Sequence, residues 1–488
     1  MPKQLINTSV TLNVIGGLLL IMGGLMLTTI AFALYYHEPF LPLLFASLIT
    51  ISTGVILKLS TISSKNAEIR KRDGYLIVTV GWLSMAIFGT LPYLLTEAIP
   101  DISNAFFETM SGLSTTGASI LDKIEELPRS ILFWRSLTQW IGGMGIIVLT
   151  IAILPMLGIG GMELFVAEAP GPTKDKIHPR IKETAKRLWV IYFSLTSVQT
   201  LILMGCGLDF FDSINHSLTT NSTGGFSTYQ DSIGHFNSPL VEYVIVIFMF
   251  TAGTNFTLLY FFIKGKFKAA LNNDEFKWYL MAVIGLVVIL TPIVYYNGIF
   301  SSIHDSFRAV LFQVVSIITT TGFSSSDFTT WGALATFVFF LLLFSGASAG
   351  STSGGIKIVR IVLLMKNGFL EFKRRLHPNA IIPVHLNGTP VSNLIIYNLL
   401  AFIFLYLFMF TVGSIVMTAL GLPFEEALSS VATSLGNVGP GIGDLGPDHS
   451  FSTVHTGGKW VLAFLMLFGR LELFTVALLL TPYYWKRN

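Results

Sequence analysis

One short phrase occurs four times in this chain, each time after a segment too short to cross a bilayer and inside a hydrophobic hairpin. The copies are Ser114-Thr115-Thr116-Gly117-Ala118-Ser119, Ser222-Thr223-Gly224-Gly225-Phe226-Ser227, Thr320-Thr321-Gly322-Phe323-Ser324 and Gly436-Asn437-Val438-Gly439-Pro440-Gly441. Aligned on Gly117, Gly225, Gly322 and Gly439, they recur at intervals of roughly 100 residues, so the repeated unit is large and not a solenoid module. Four similar turns can close a ring.

The surroundings of the phrases are strongly apolar. Of 488 residues, 52% are hydrophobic and only 12% charged, and apolar stretches of about 20 residues recur along the whole chain, the length of a membrane-spanning helix. Such unbroken runs exclude an outer-membrane barrel, whose strands are short and alternate in polarity. The single cysteine, Cys206, allows no intrachain disulfide, and a net charge of +3 is too small and scattered to point to nucleic acid. The first apolar run, ending near Tyr36, is too long for a signal-peptide core and reads as a retained span.

Taken in order, residues 1–73 form a two-helix hairpin, Leu12–Tyr35 and Phe40–Leu57. Residues 74–183 make a first unit: a span Tyr75–Leu95, a short segment Asn104–Leu113, the phrase, and a return span Ile131–Leu154. The pattern repeats in 184–276 (Leu188–Gly205, Ser213–Asn221, Leu240–Ile263), in 277–385 (Tyr279–Tyr296, Asp305–Ile318, Trp331 onward) and in 386–488 (Leu394–Leu420, Phe424–Leu435, Lys459–Leu480). The segments before each phrase cover about half of a 30 Å bilayer at 1.5 Å per residue, so each enters and leaves on one face. The expected fold is an all-α polytopic membrane protein, with four span–short helix–span repeats in a pseudo-fourfold arrangement around one pore, plus the N-terminal hairpin. Basic loops at Lys58–Arg72, Lys174–Arg187, Lys264–Lys277 and Lys366–Arg375, with the tail Lys486–Arg487, share one side. The positive-inside rule places that side, with both termini, in the cytoplasm. Asp101, Glu108, Asp122, Glu125, Glu126, Asp231, Asp327, Glu425 and Glu426 then fall on the outer side, where together they make an acidic mouth that concentrates cations and singly each reads equally well as a solvated loop charge.

Residue types in the phrases suit a path for bare cations. A cation crossing lipid must have its hydration shell replaced, and rings of backbone carbonyls do this for potassium. Glycine at the turn permits positive φ, and small neighbours leave the axis open. Irregular backbone at membrane depth survives only where it is buried in protein or lines water. Short helices ending at the phrases also turn partly negative C-termini toward the cavity.

Two further features sit where lipid would penalise them. Ser345 to Gly355, Ser-Gly-Ala-Ser-Ala-Gly-Ser-Thr-Ser-Gly-Gly, separates flanks (Trp331–Phe344 and Ile356–Met365) that are each too short to span, so this loop lies within the membrane and lines the path. Arg470 interrupts the apolar run Trp460–Leu480, where an arginine costs about 2.5–3.5 kcal/mol unless it finds carbonyls, acids or water. Its cation can repel a permeating ion and bond carbonyls of the 345–355 loop. Glu472, two residues on, faces another side of the helix. Lys357 and Arg360 are expected to snorkel to the cytoplasmic face, where they can couple a regulator to the loop.

The fourfold layout, the phrases, and the segments Trp140-Ile141-Gly142-Gly143-Met144-Gly145, Leu157-Gly158-Ile159-Gly160-Gly161-Met162 and Phe468-Gly469-Arg470-Leu471-Glu472 resemble the Trk/Ktr/HKT superfamily of potassium transporters, and most closely its bacterial TrkH/TrkG branch. That resemblance covers essentially the whole chain. It implies uptake of K+ through a selectivity filter at Thr115, Thr116 and Gly117; Thr223, Gly224 and Gly225; Thr320, Thr321 and Gly322; and Asn437, Val438 and Gly439. It implies a gate at Gly346, Gly350, Ser351, Thr352, Gly354, Gly355 and Arg470 beneath that filter. A homodimer in a bacterial inner membrane and a cytosolic TrkA-type nucleotide-binding regulatory partner are implied as well. Glycine at 117, where related plant transporters with sodium preference carry serine, points to potassium. A channel's Thr-Val-Gly-Tyr-Gly filter is absent; each phrase keeps essentially one shared glycine.

Competing readings find little support. Gly441-Ile442-Gly443-Asp444-Leu445-Gly446 matches a dinucleotide-binding fingerprint, but no strand precedes it and no helix opens after it, so no nucleotide is expected on this chain. His216 and His235 flank the second phrase without partners that define a site. A membrane enzyme would need a catalytic cluster inside a span, and the sequence offers none. Gated conduction and proton- or sodium-coupled symport both remain open, because discontinuous helices serve secondary transporters too.

Overall fold

The protein is seen as a computed structural model that describes residues 7–62, 71–148 and 181–486. The Leu157–Met162 motif and the basic residues Lys65, Arg70 and Lys174 lie outside the described residues. Among those described, six helices are long and apolar enough to cross a membrane, or eight if each of two bent pairs counts as one span.

The N-terminal hairpin consists of Thr8–Tyr35 and Leu41–Ser60. Its helices touch through glycine: a Cβ on Gly16 would lie 2.9 Å from Gly54 O, and one on Gly54 would lie 2.9 Å from Gly16 O. Lipid gives no hydrophobic drive for helix association, so this close backbone approach supplies the contact.

Leading spans and short helices occur in the residue ranges of all four units. The leading spans are Arg72–Leu95, Ala185–Gly205, Asp274–Tyr296 and Asn393–Ala419. The short helices are Ile102–Leu113, Phe210–Asn221, Ile303–Ile318 and Phe424–Gly436. The first three begin on side-chain caps, Asp101, Asp209 and Ser302 each accepting from a backbone N–H three residues on. The fourth starts after Pro423 with Glu425 and Glu426 in its first turn, which suits the positive end of the helix dipole.

The return helices depart from the sequence expectation. Only the first, Arg129–Val148, runs unbroken through its described part. The third divides into Ala333–Leu342 and Ile358–Leu376 around the 345–355 loop. Leu240–Ile263 and Lys459–Leu480 read as single spans, yet they are Pro239–Ala252 plus Phe256–Ile263, bent by 107°, and Thr456–Arg470 plus Phe474–Leu480, bent by 110°. Asn255 causes the first break by capping the new helix, its side chain accepting from Thr257 N (2.8 Å). Leu473 marks the second, with φ 51° and ψ −62° and a Phe474 N–H bond back to Glu472 O; this is a γ-turn of the strained, positive-φ kind.

Packing is cyclic. The second short helix lies on the first return helix, the third on the second, and the first on the fourth. At the remaining junction a Cβ on Gly436, ending the fourth short helix, would sit 2.2 Å from Leu343 O at the end of Ala333–Leu342. Each unit thus leans on the next. Among the described residues one small element is a β-hairpin, whose two-residue antiparallel strands, His385–Leu386 and Thr389–Pro390, turn on Asn387 and Gly388 at φ 50° and 76°.

Candidate ion pathway

The four phrases share one backbone shape. Thr115, Thr223, Thr320 and Asn437 have φ of 53°, 54°, 56° and 52°, and two residues later Gly117, Gly225, Gly322 and Gly439 have φ of 86°, 78°, 78° and 111°. A non-glycine residue at positive φ is uncommon. Four at equivalent positions mean that the surroundings impose the turn.

The glycines close the ring. A Cβ on Gly117 would fall 2.2 Å from Gly224 O, one on Gly225 1.9 Å from Thr321 O, one on Gly322 2.0 Å from Val438 O, and one on Gly439 2.7 Å from Thr116 O. Each glycine therefore abuts the carbonyl of the residue before the next unit's glycine, in the order one, two, three, four and back to one. No side chain fits between them. The resulting circle of backbone oxygens is encircled by the C-terminal ends of the four short helices, which cap at Ser114, Ser222, Thr319 and Asn437. Their partial negative charge favours a cation there.

Glycines of the Trp140–Gly145 motif brace this ring. A Cβ on Gly142 would lie 1.8 Å from Leu113 O, and one on Gly143 2.9 Å from Ser222 Cα; likewise Gly469 would meet Leu435 O at 2.1 Å. Return helices can thus press directly against the short-helix ends.

Outside the ring lies a cavity of about 60 Å³, lined by Gly117, Gly225, Gly322 and Gly439 below and by Tyr229 and His449 at its wall. Asp448 sits between the lining residues Pro447 and His449. Partial loss of hydration, then the negative charges of Asp327 and Asp231, push its carboxyl above the ordinary carboxylate range. Glu108, by contrast, is no mouth residue. It is fully buried and pairs with buried Arg135 at 2.6 Å, also accepting from the Ser119 hydroxyl (3.0 Å) and Ile120 N (3.0 Å). Its place in the first short helix does not by itself reveal this, because the partner lies 27 residues away.

Beneath the ring lies the small-residue loop. Gly346 N donates to Ile356 O (2.9 Å) and Ile356 N to Phe344 O (3.0 Å), closing the loop at its base. Gly354 N donates to Thr320 Oγ1 (2.7 Å), directly under the third phrase, and a Cβ on Gly354 would lie 2.5 Å from Gly436 O, under the fourth. The Thr352 hydroxyl donates to Asn221 O (3.0 Å), at the end of the second short helix. Ser351 caps back on Ser348 O (2.6 Å), Gly350 O accepts from Phe256 N (3.1 Å), and Gly355 turns at φ 63°.

Arg470 is 2% exposed. Its Nη1 donates to Thr352 O (2.8 Å) and its Nη2 to Gly142 O (3.1 Å), while Nε has no acceptor among the described residues. The arginine therefore ties the loop to the first unit, the one the loop's other bonds do not reach. Loop and arginine together engage the underside of all four units.

Lys357 and Arg360 are not at the surface. They are 8% and 5% exposed: Lys357 Nζ bonds Ser353 O and, at 3.1 Å, Ser353 Oγ, and Arg360 pairs with Glu472 at 2.7 Å with its guanidinium 4.3 Å from the Phe402 ring centre. Snorkelling fails here because closer partners exist inside the protein. His216, also buried, shares a hydrogen bond with Ser227 Oγ (2.9 Å) just beyond the second phrase's ring glycine.

Comparison with known proteins shows the family and the fold. The family model described as TrkH, cation transport protein, matches residues 43–486. Similar proteins include the Trk system potassium uptake protein TrkH of Escherichia coli, 41% identical over 86% of this chain and 88% of that protein. TrkH of Vibrio parahaemolyticus is 39% identical over 97% and 99%, and TrkG of Escherichia coli 33% identical over 98% and 100%. The crystal structure of the potassium transporter TrkH from Vibrio parahaemolyticus superposes with a TM-score of 0.90 at 36% identity, covering 98% of this chain and 100% of that one.

Proposed function

The chain belongs to the TrkH family of cation transport proteins, and on that premise we propose that it takes up potassium through the glycine ring, along a channel-like path gated from the cytosolic side. The family is one of transport proteins, not enzymes. The observation that carries the reading is the closed circle in which each phrase's glycine touches the next unit's carbonyl, because only a continuous ring offers one dehydrated ion equivalent oxygens on all sides. Thr115–Gly117, Thr223–Gly225, Thr320–Gly322 and Asn437–Gly439 form the selectivity filter.

The gate is the loop containing Gly346, Gly350, Ser351, Thr352, Gly354 and Gly355, held by Arg470. Bonded to the second and third units, packed against the fourth and tied to the first through Arg470, it fills the path below the ring, and the arginine's cation raises the barrier to K+ there. Lys357 and Arg360, at the loop's exit, pass on the state of a cytosolic nucleotide-binding regulator of the TrkA type. The positive-inside pattern orients the protein with both termini in the cytoplasm of a bacterial cell whose inner membrane holds it as a homodimer.

The test is radioactive rubidium uptake into liposomes holding this protein alone, at clamped zero voltage, with and without a proton gradient. Expected is uptake that potassium competes away, that sodium does not, and that ignores the proton gradient. Uptake that requires the gradient would replace conduction with symport.

A further inference from the structure

The second phrase differs from the other three in one respect. The position before its ring glycine is Gly224, where the others carry Thr116, Thr321 and Val438. Two of those side chains bond locally: Thr116 Oγ1 lies 2.7 Å from Ser114 Oγ, and Thr321 Oγ1 2.7 Å from Thr319 Oγ1. Gly224 has nothing to offer. Nor does its backbone need glycine, since its φ lies outside the positive range that marks Gly225.

The missing side chain comes from another unit. A Cβ on Gly224 would fall 2.3 Å from Cδ of Gln139, a fully buried residue of the first return helix. Gln139 Nε2 donates to Gly224 O (2.6 Å), and its Oε1 accepts from Phe226 N (3.0 Å), so one amide spans both sides of Gly225. One turn earlier on the same helix face, Arg135 donates to Ser227 O (2.7 Å) and places its guanidinium 3.6 Å from the Phe226 ring centre. Gln139 holds the ring residues; Arg135 holds Phe226 and Ser227 beyond them.

We infer that Gln139 is a positioning residue for ion selection, which supplies from the first unit the side chain that the second phrase lacks and fixes the peptide groups on either side of Gly225. Without it, the second arc of the ring loses two hydrogen bonds and gains a void. The ring then adapts to a smaller ion, and the preference for potassium over sodium falls. This inference rests on the ring being the filter.

The test measures bi-ionic reversal potentials in bilayers holding the full-length protein. Gln139→Ala and Gln139→Met, the second nearly conserving volume, are each expected to lower the potassium-to-sodium permeability ratio by about fivefold or more, the order set by one net hydrogen bond. Gly224→Thr alone should lower it too, because its side chain meets Gln139. The double variant Gln139→Ala/Gly224→Thr, which supplies the side chain in place, should recover the ratio, a rescue that no general loss of packing produces. Gly225→Ala is the control for the ring, as its Cβ would meet Thr321 O. A wild-type ratio in Gln139→Met while Gly225→Ala lowers it overturns the role of Gln139. Wild-type ratios in both overturn the filter reading, and this inference with it. Failure of the double variant to recover overturns the side-chain exchange.

Discussion

Arg470→Ala should open a leak. In the structure the guanidinium makes two hydrogen bonds, to Thr352 O and Gly142 O, and bonds from a charged donor contribute about 1.5–3 kcal/mol each. Taking the lower figure, the closed arrangement loses about 3 kcal/mol with the side chain. Relief from holding a buried cation offsets part of that, because desolvating a charge is costly even when it is paired. If half remains, closure weakens by about 1.5 kcal/mol, and basal flux rises about tenfold. On the proposed path, removing the positive charge acts in the same direction. The assay is rubidium uptake by reconstituted protein without any regulator, alongside size-exclusion and thermal-melting controls for folding. Arg470→Lys should leak less than Arg470→Ala, since it keeps the charge while losing the two-armed geometry. Unchanged or lower flux in folded Arg470→Ala would refute the reasoning.

Three further outcomes are expected. Gly117→Ser places a side chain 2.2 Å from Gly224 O at φ 86°, so reversal potentials in mixed potassium and sodium should show reduced selectivity, and an unchanged ratio would remove Gly117 from the filter. Arg135→Met strands the buried Glu108 carboxylate and should lower stability by about 3–5 kcal/mol, with Glu108→Gln/Arg135→Met recovering much of it in thermal melts; equal melting of single and double variants would show the pair to be uncoupled. The raised Asp448 carboxyl takes up its proton above the pH at which ordinary carboxylates do, so external acidification through that window should weaken uptake at low potassium by a factor of a few, and Asp448→Asn should abolish the step.

The repeat plan is legible in the sequence because it depends on lengths. A 12-residue helix such as Ile102–Leu113 cannot cross about 30 Å of hydrocarbon, and two flanks of the 345–355 loop fail by the same arithmetic. Breaks hidden in apolar composition are not legible. The turn at Leu473 follows Leu471 and Glu472 without glycine or proline, and tertiary contacts impose its positive φ. Buried charges escape for a related reason, since Arg360 finds Glu472 at a separation of 112 residues, which local pattern does not reveal. Gln139 does carry a usable signal: a polar side chain within an intramembrane helix is by default a functional candidate. Asn387-Gly388, which turns the small hairpin, is another local signal of the familiar kind.

The glycine ring and the 345–355 loop are joined by hydrogen bonds and close contacts. Thr320 both takes the positive φ that shapes the third phrase and receives the Gly354 N–H through its hydroxyl; Gly142 both presses on the end of the first short helix and accepts from Arg470. The loop's exits are tied in turn. Its lower flank, through Arg360, holds Glu472, the first residue of the strained γ-turn and two beyond Arg470. Glu472 is the more exposed partner, at 40% against 6% for Arg360, so a displacement of this pair can reach Arg470 through a short stretch of backbone. A turn held at costly dihedrals persists only while its surroundings over-determine it. Loosening the Arg360–Glu472 pair is therefore expected to relax the segment that carries Arg470 and with it the loop's tie to the first unit, so Arg360→Met should raise basal rubidium flux in the same assay, and unchanged flux in folded protein would refute this coupling.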